Sequence, residues 1–127
     1  MIILNVIETK NAPGAIGPYS QGYELNGLIF TSGQIPIDPN TGIMAEGITA
    51  QAEQSCKNVL AIIEAAGSDA NNVIKTTCYL ANMDDFASFN EVYSRYFVSK
   101  PARSCVAVKT LPKNVLCEVE VIAYLGK

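Results

Sequence analysis

The chain has no histidine and no tryptophan. Without histidine, the side chain that most often works as a general base near neutral pH is missing, and so is the commonest metal ligand. A metal site would have to use thiolates and carboxylates alone, and the four cysteines, Cys56, Cys78, Cys105 and Cys117, include no C-x-x-C pair. Cations are also scarce: nine Lys and Arg stand against twelve Asp and Glu, for a formal charge of -3. They are scattered, whereas phosphate recognition rests on clustered Lys and Arg, so nucleic acid is not an expected partner. Long apolar runs are absent too. The opening MIILNVIETK starts with a run of four apolar residues and no basic segment before them, too short for a signal core or a membrane span. The expectation is a soluble, cytoplasmic protein.

What is present suits one compact domain over residues 1–127. Apolar residues make up 49% and charged residues 17%, enough to bury a core and too apolar for disorder. In GYELNGLIFTSG, Asn26-Gly27 lies between two apolar runs and accepts the paired positive φ angles of a type I′ turn, so Tyr23–Leu25 and Leu28–Ser32 form a hairpin. Asp38–Gly42 (DPNTG) is a second turn. Ala52, Cys56, Val59, Leu60, Ile63 and Ala66 form a stripe at helical spacing, predicting a helix from Thr49, its N-cap, to Ala66, stopped by Gly67. Asn72–Leu80 is β-branched and aromatic, hence a strand. Asp84 then caps a second helix with the stripe Phe86, Phe89, Val92, Tyr93, Tyr96 and Phe97, and Pro101 prevents its extension. The tail reads as a final hairpin. With a further strand at Ile2–Ile7, the result is an α+β domain whose two helices cover one face of a sheet.

The last strand defines the two faces. Its odd positions, Val115, Cys117, Val119, Val121, Ala123 and Leu125, are apolar and should meet the helices. The even positions, Leu116, Glu118, Glu120, Ile122 and Tyr124, mix oil with charge, as in an oligomer contact or a cleft. An even-length loop in the tail hairpin would put Arg103 and Cys105 on the face of Glu118 and Glu120. An odd one would turn Arg103 toward the helices, where an unpaired guanidinium is costly. The first arrangement is the expected one. Free cysteine is usually buried, so the thiols other than Cys105 are expected in the core.

Four segments carry a resemblance: NAPGAIGPYSQG (11–22), IFTSGQIPIDPNTG (29–42), NVIKTTCYLANMDDFASFNEVY (72–93) and PARSCVAVKTLPKNVLCEVEVIAY (101–124). In this order they are similar to the YjgF/YER057c/Rid family, also labelled endoribonuclease L-PSP, and most to its reactive intermediate deaminase A branch. The resemblance spans about Asn11 to Leu125. It implies a chorismate-mutase-like mixed sheet, and a homotrimer whose sheets face a central barrel, with sites at the subunit interfaces. It also implies hydrolysis of 2-iminobutanoate and 2-iminopropanoate to 2-oxo acids and ammonia, with no metal or organic cofactor. On the matching positions, Arg103 would grip the substrate carboxylate and Glu118 would help place the attacking water. Tyr19, Ser32, Gly33, Asn90 and Cys105 would line the site.

Those residue types suit the chemistry. A planar guanidinium holds a carboxylate through two parallel charge-assisted bonds, and a protonated imine needs only an oriented water and an acceptor for its proton. Cys105 has no histidine to activate it, so a nucleophilic role is not expected. Two other readings share these residues: the ribonuclease and translation inhibitor of the older family label, and a non-catalytic 2-oxo-acid-binding or chaperone-like module. One departure stands out. Only Val98-Ser99-Lys100 joins the second helix to Pro101, where many relatives have a longer connection ending in an aromatic residue, so the cleft rim should differ.

Overall fold

The computed structural model describes residues 1–126. Six strands form one sheet: β1 (Leu4–Ile7), β2 (Gly22–Leu25), β3 (Leu28–Thr31), β4 (Val73–Leu80), β5 (Ala102–Ala107) and β6 (Cys117–Tyr124). Two helices, α1 (Ile48–Ala65) and α2 (Phe86–Tyr96), pack on it. The spatial order is β1-β2-β3-β6-β4-β5, with β4 and β5 parallel and the other neighbours antiparallel.

Local chemistry explains most of the elements. Asn26 and Gly27 have φ of 49° and 88°, and Leu25 pairs with Leu28 across the tight turn they make. Gly42 donates to the Asp38 carbonyl at 2.8 Å, closing the second turn. Gly67, at φ 97°, ends α1: its N–H donates to Glu64 O while that of Ser68 donates to Ile63 O. Two cap assignments are corrected. The residue before α1 is Gly47, with no side-chain cap, so Thr49 already lies inside the helix. Asp84 sits in a short 3-10 turn whose cap is Asn82, the Asn82 side chain accepting from Asp84 N. Asparagine at that position closes its own turn two residues on, which moves the helix start to Phe86.

The odd residues of β6 from Cys117 to Ala123 are buried together with Val59, Ile62 and Ile63 of α1, Phe89 and Val92 of α2, and Phe97 just after it. Cys56, Cys78 and Cys117 lie in this core, as expected, and Cys105 is half-buried. The tail, however, is not a hairpin. β5 leaves α2 and lies parallel to β4, as a strand-helix-strand crossover requires, and β6 passes to the far side of β4. Composition accounts for this. β6, with four fully buried or nearly buried apolar residues on one side, takes a central place. β5, with Arg103 and Ser104 in its first half, takes the edge, where an inward charge can still reach water.

Buried amides fix the loops over this frame. Asn58, on α1, donates to the carbonyls of Ile35 and Ile37 at 3.0 and 2.9 Å and accepts from Gln54. Gln21 donates to the carbonyls of Thr9, Ala12 and Pro13 and accepts from Thr9 N. Asn58→Ala would leave two half-buried loop carbonyls and the Gln54 amide without their partners. A loss of about 2–4 kcal/mol is expected, read as a lower urea midpoint.

Candidate active site

Arg103 projects from the edge strand toward α2. Residues Phe86, Asn90 and Tyr93 fall at i, i+4 and i+7 on that helix and so share one face. The guanidinium lies over two of their rings, 4.8 Å from the Tyr93 centroid and 5.5 Å from that of Phe86. Asn90 Oδ1 accepts from Arg103 Nη1 at 2.6 Å. Tyr93 is itself held by a 2.7 Å hydrogen bond to Thr76 Oγ1 on β4. The guanidinium is thus oriented by an amide and two π-faces, with no carboxylate in hydrogen-bonding contact among the described residues. It opens onto a surface cavity lined by Asn90, Tyr93, Ser94, Val98, Lys100 and Pro101 among others. Lys100, at φ 53°, brings the rim of the short connection into this cavity, and Ser99 ties that connection to β4 by donating to Val73 O at 2.7 Å.

Arg103, Asn90 and Cys105 form one group. Cys105 pairs in register with Cys78 of β4, and both side chains turn to the helix side. The neighbouring Cys78 thiol lowers the Cys105 pKa to about 7; burial opposes the change and Arg103 assists it. Cys78 is raised by its Cys105 neighbour and by its burial.

A second group lies elsewhere. Glu118 emerges from the open face of β6, half-buried beside Gly33. Burial first, and the neighbouring Glu120 carboxylate second, raise the Glu118 pKa above its ordinary value. Gly33 follows β3, whose chain continues to Gln34, and Gln34 pairs with Val119 through bonds of 2.8 and 3.2 Å. Ser32 donates from its side chain to Ser20 O and from its backbone to Gln21 O, so it anchors the segment that carries Tyr19. Tyr19 is exposed and, with Gly33, lines a groove of about 260 Å³.

Gly33 is needed for space. A Cβ at this position would overlap the Glu118 carboxylate and approach Glu118 Cγ at 3.1 Å. Gly33→Ala should displace the carboxylate and cost about 1 kcal/mol, at the low end for overpacking because a glutamate can swing. In Glu118→Ala the cost should vanish, so a double-mutant cycle in urea would show positive coupling.

The expected register of Arg103 and Glu118 is corrected by these pairings. Arg103 is partnered with the buried Thr76, whereas Glu118 and Glu120 are partnered with Tyr79 and Thr77 on the other side of β4. Arg103 and Cys105 therefore share the helix face, not the face of Glu118 and Glu120. The cost foreseen for an inward guanidinium is avoided by the edge position, the Asn90 bond and the two rings. Sequence reasoning placed Phe86 and Tyr93 in the core stripe and missed their contact with Arg103. Their helical spacing with Asn90 is the signal that could have revealed it.

A family model described as endoribonuclease L-PSP matches residues 9–125. The chain belongs to this family, which includes YjgF and the Rid proteins. This L-PSP-family chain is 51% identical over 121 residues to the 2-iminobutanoate/2-iminopropanoate deaminase of Salmonella typhimurium, covering 92% of this chain and 94% of that protein. The solved structure of Escherichia coli TdcF with bound serine is 48% identical, with a TM-score of 0.92 over 94% of this chain and 98% of that one. The YjgF gene product of E. coli gives the same identity of 48% and TM-score of 0.92, again over 94% and 98% of the two chains. The L-PSP fold of two helices on a mixed six-stranded sheet is shared with these neighbours.

Proposed function

We propose that this protein is a reactive-intermediate deaminase that hydrolyses small 2-imino acids, such as 2-iminobutanoate and 2-iminopropanoate, to 2-oxo acids and ammonia. The observation that carries the reading is Arg103, a guanidinium aimed by Asn90 and two rings at an open cavity, with a neutral amide rather than a carboxylate as its hydrogen-bond partner. Such a group is ready for an incoming carboxylate. The deaminase name of a relative at 51% identity supports this, and so does the serine bound to TdcF, an amino acid with an α-carboxylate.

In this reading Arg103 clamps the substrate carboxylate bidentately and places the C=N carbon. Glu118 orients a water and takes its proton as oxygen attacks that carbon. The resulting carbinolamine expels ammonia as its hydroxyl loses a proton, leaving the 2-oxo acid. The raised pKa of Glu118 brings it nearer to the working pH of a general base. Tyr19, Ser32 and Gly33 shape the wall on the Glu118 side, and Asn90 and Cys105 the wall on the Arg103 side.

One chain does not close such a site. Arg103 and Glu118 lie on opposite faces and on strands separated by β4, that is, on strands about 10 Å apart and at positions offset by three residues along β4. A 2-imino acid cannot touch both. The second group must come from another copy, which fits a homotrimer with sites between subunits. The open sheet face supplies a surface for that contact: Val6, Tyr23, Leu25, Leu28, Phe30 and Tyr124 share it and are between 39% and 52% exposed. Apolar surface in one block is unusual for a monomer.

The test generates 2-iminobutanoate in situ with a threonine dehydratase, in the presence of semicarbazide as a competing trap. The protein should reduce trapping and raise the yield of 2-oxobutanoate. Undiminished trapping by folded, oligomeric protein would sink the proposal. If the protein instead bound 2-oxobutanoate without turnover, the binding-module reading would take its place.

A further inference from the structure

The proposed reaction uses Cys105 as part of a wall and leaves Cys78 idle. Yet the two cysteines are direct partners on adjacent parallel strands, turned to the same side of the sheet. Their Cα atoms are one strand spacing apart, about 4.8 Å, within the range of about 4.4–6.8 Å that disulfides span. Their environments differ in a useful way. Cys78 is fully buried, its Sγ 3.9 Å from Thr76 Oγ1, and no small reagent reaches it directly. Cys105 is half-buried on the edge strand, two residues from the Arg103 guanidinium, which favours a thiolate. The other two cysteines, Cys56 and Cys117, are buried, and both thiols are shifted upward by burial, Cys117 to about 12.

We propose that Cys105 and Cys78 form a peroxide-responsive dithiol, in which Cys105 is the attacking thiolate and Cys78 the resolving thiol. The Cys105 thiolate attacks a hydroperoxide ROOH, the O–O bond breaks, and Cys105 becomes a sulfenic acid while ROH leaves after gaining a proton. The Cys78 sulfur then attacks the Cys105 sulfur, an S–S bond forms, and the hydroxyl leaves as water with the Cys78 proton. Both cysteines are oxidised by one equivalent each, and the peroxide is reduced by two electrons. β5 has a sheet neighbour on one side only, so it can move toward β4 as the bond closes. A residual mismatch would leave the bond strained and readily reduced, as reversible disulfides are.

The experiment exposes the native protein to an equimolar amount of hydrogen peroxide and reads intact mass and tryptic peptides. The expected product has lost two hydrogens per chain, carries a crosslink between the Cys78 and Cys105 peptides, and reverts with dithiothreitol. Cys105→Ser should abolish the product. Cys78→Ala should instead accumulate a sulfenic acid on Cys105 that dimedone captures, and a circular dichroism spectrum like that of the parent would show that this variant folds. A Cys105–Cys105 link between two copies, over-oxidation of Cys105 with Cys78 still reduced in the parent protein, or oxidation of Cys56 or Cys117 at the same rate would each overturn the proposal. None of these readouts depends on deaminase activity, so failure here and failure of the imine chemistry are separable.

Discussion

Replacing Arg103 by alanine should lower kcat/KM for 2-iminobutanoate by about 10²–10⁴-fold. Two charge-assisted hydrogen bonds at about 1.5–3 kcal/mol each are lost together, and each 1.4 kcal/mol is about tenfold. Most of the loss should fall on KM if the clamp holds substrate and transition state alike, and on kcat if it mainly aligns the C=N carbon. Arg103→Lys separates charge from shape. It keeps the cation but loses the planar fork, the flat stacking on Tyr93 and Phe86, and the guanidinium geometry that meets Asn90 Oδ1. It should recover only part of the activity. The competing-trap assay with semicarbazide measures both variants. Since Arg103 is half-exposed at a sheet edge, thermal unfolding of Arg103→Ala should stay close to that of the parent. A variant with full activity would remove Arg103 from the site.

The second large effect is expected at Glu118. Glu118→Gln keeps the size and removes the proton acceptor, so kcat should fall by about 10²–10⁴-fold with little change in KM. A binding module would instead lose neither its ligand nor any rate. The pH profile gives a further check. Burial and Glu120 raise the Glu118 pKa, so activity that needs the carboxylate is present above that pKa and lost as pH falls through it. Glu120→Gln removes the like charge and should move this acid limb to lower pH. Stability has the opposite dependence. Folded Glu118 holds its proton more tightly than the unfolded chain does, so stability declines as pH rises from the ordinary glutamate pKa through the raised one. Glu118→Gln should be free of that decline. Urea midpoints measured on both sides of the window would show it, and an equal decline in both proteins would contradict the assignment.

The sequence by itself determined the elements and their faces. Asn26-Gly27 specified a hairpin, Gly67 a helix end, and the stripes of α1 and α2 their buried sides, because turn chemistry and periodicity act over a few residues. The alternation in β6 likewise separated a core face from a face with Glu118 and Glu120. Motif likeness marked Arg103 and the segment around Tyr19 before any contact was known. Only the tertiary structure decided which strands became neighbours. Proximity in the chain suggested β5 against β6, but β4 lies between them, since strand order is a competition among distant segments for the central, most buried places. That one difference turned Arg103 to the helix side, placed it on Tyr93 and Phe86, paired Cys105 with Cys78, and separated the guanidinium from Glu118. A pattern of two in one strand tells which residues share its face. It does not tell which strand comes next to it, and in this protein the chemistry depends on that neighbour.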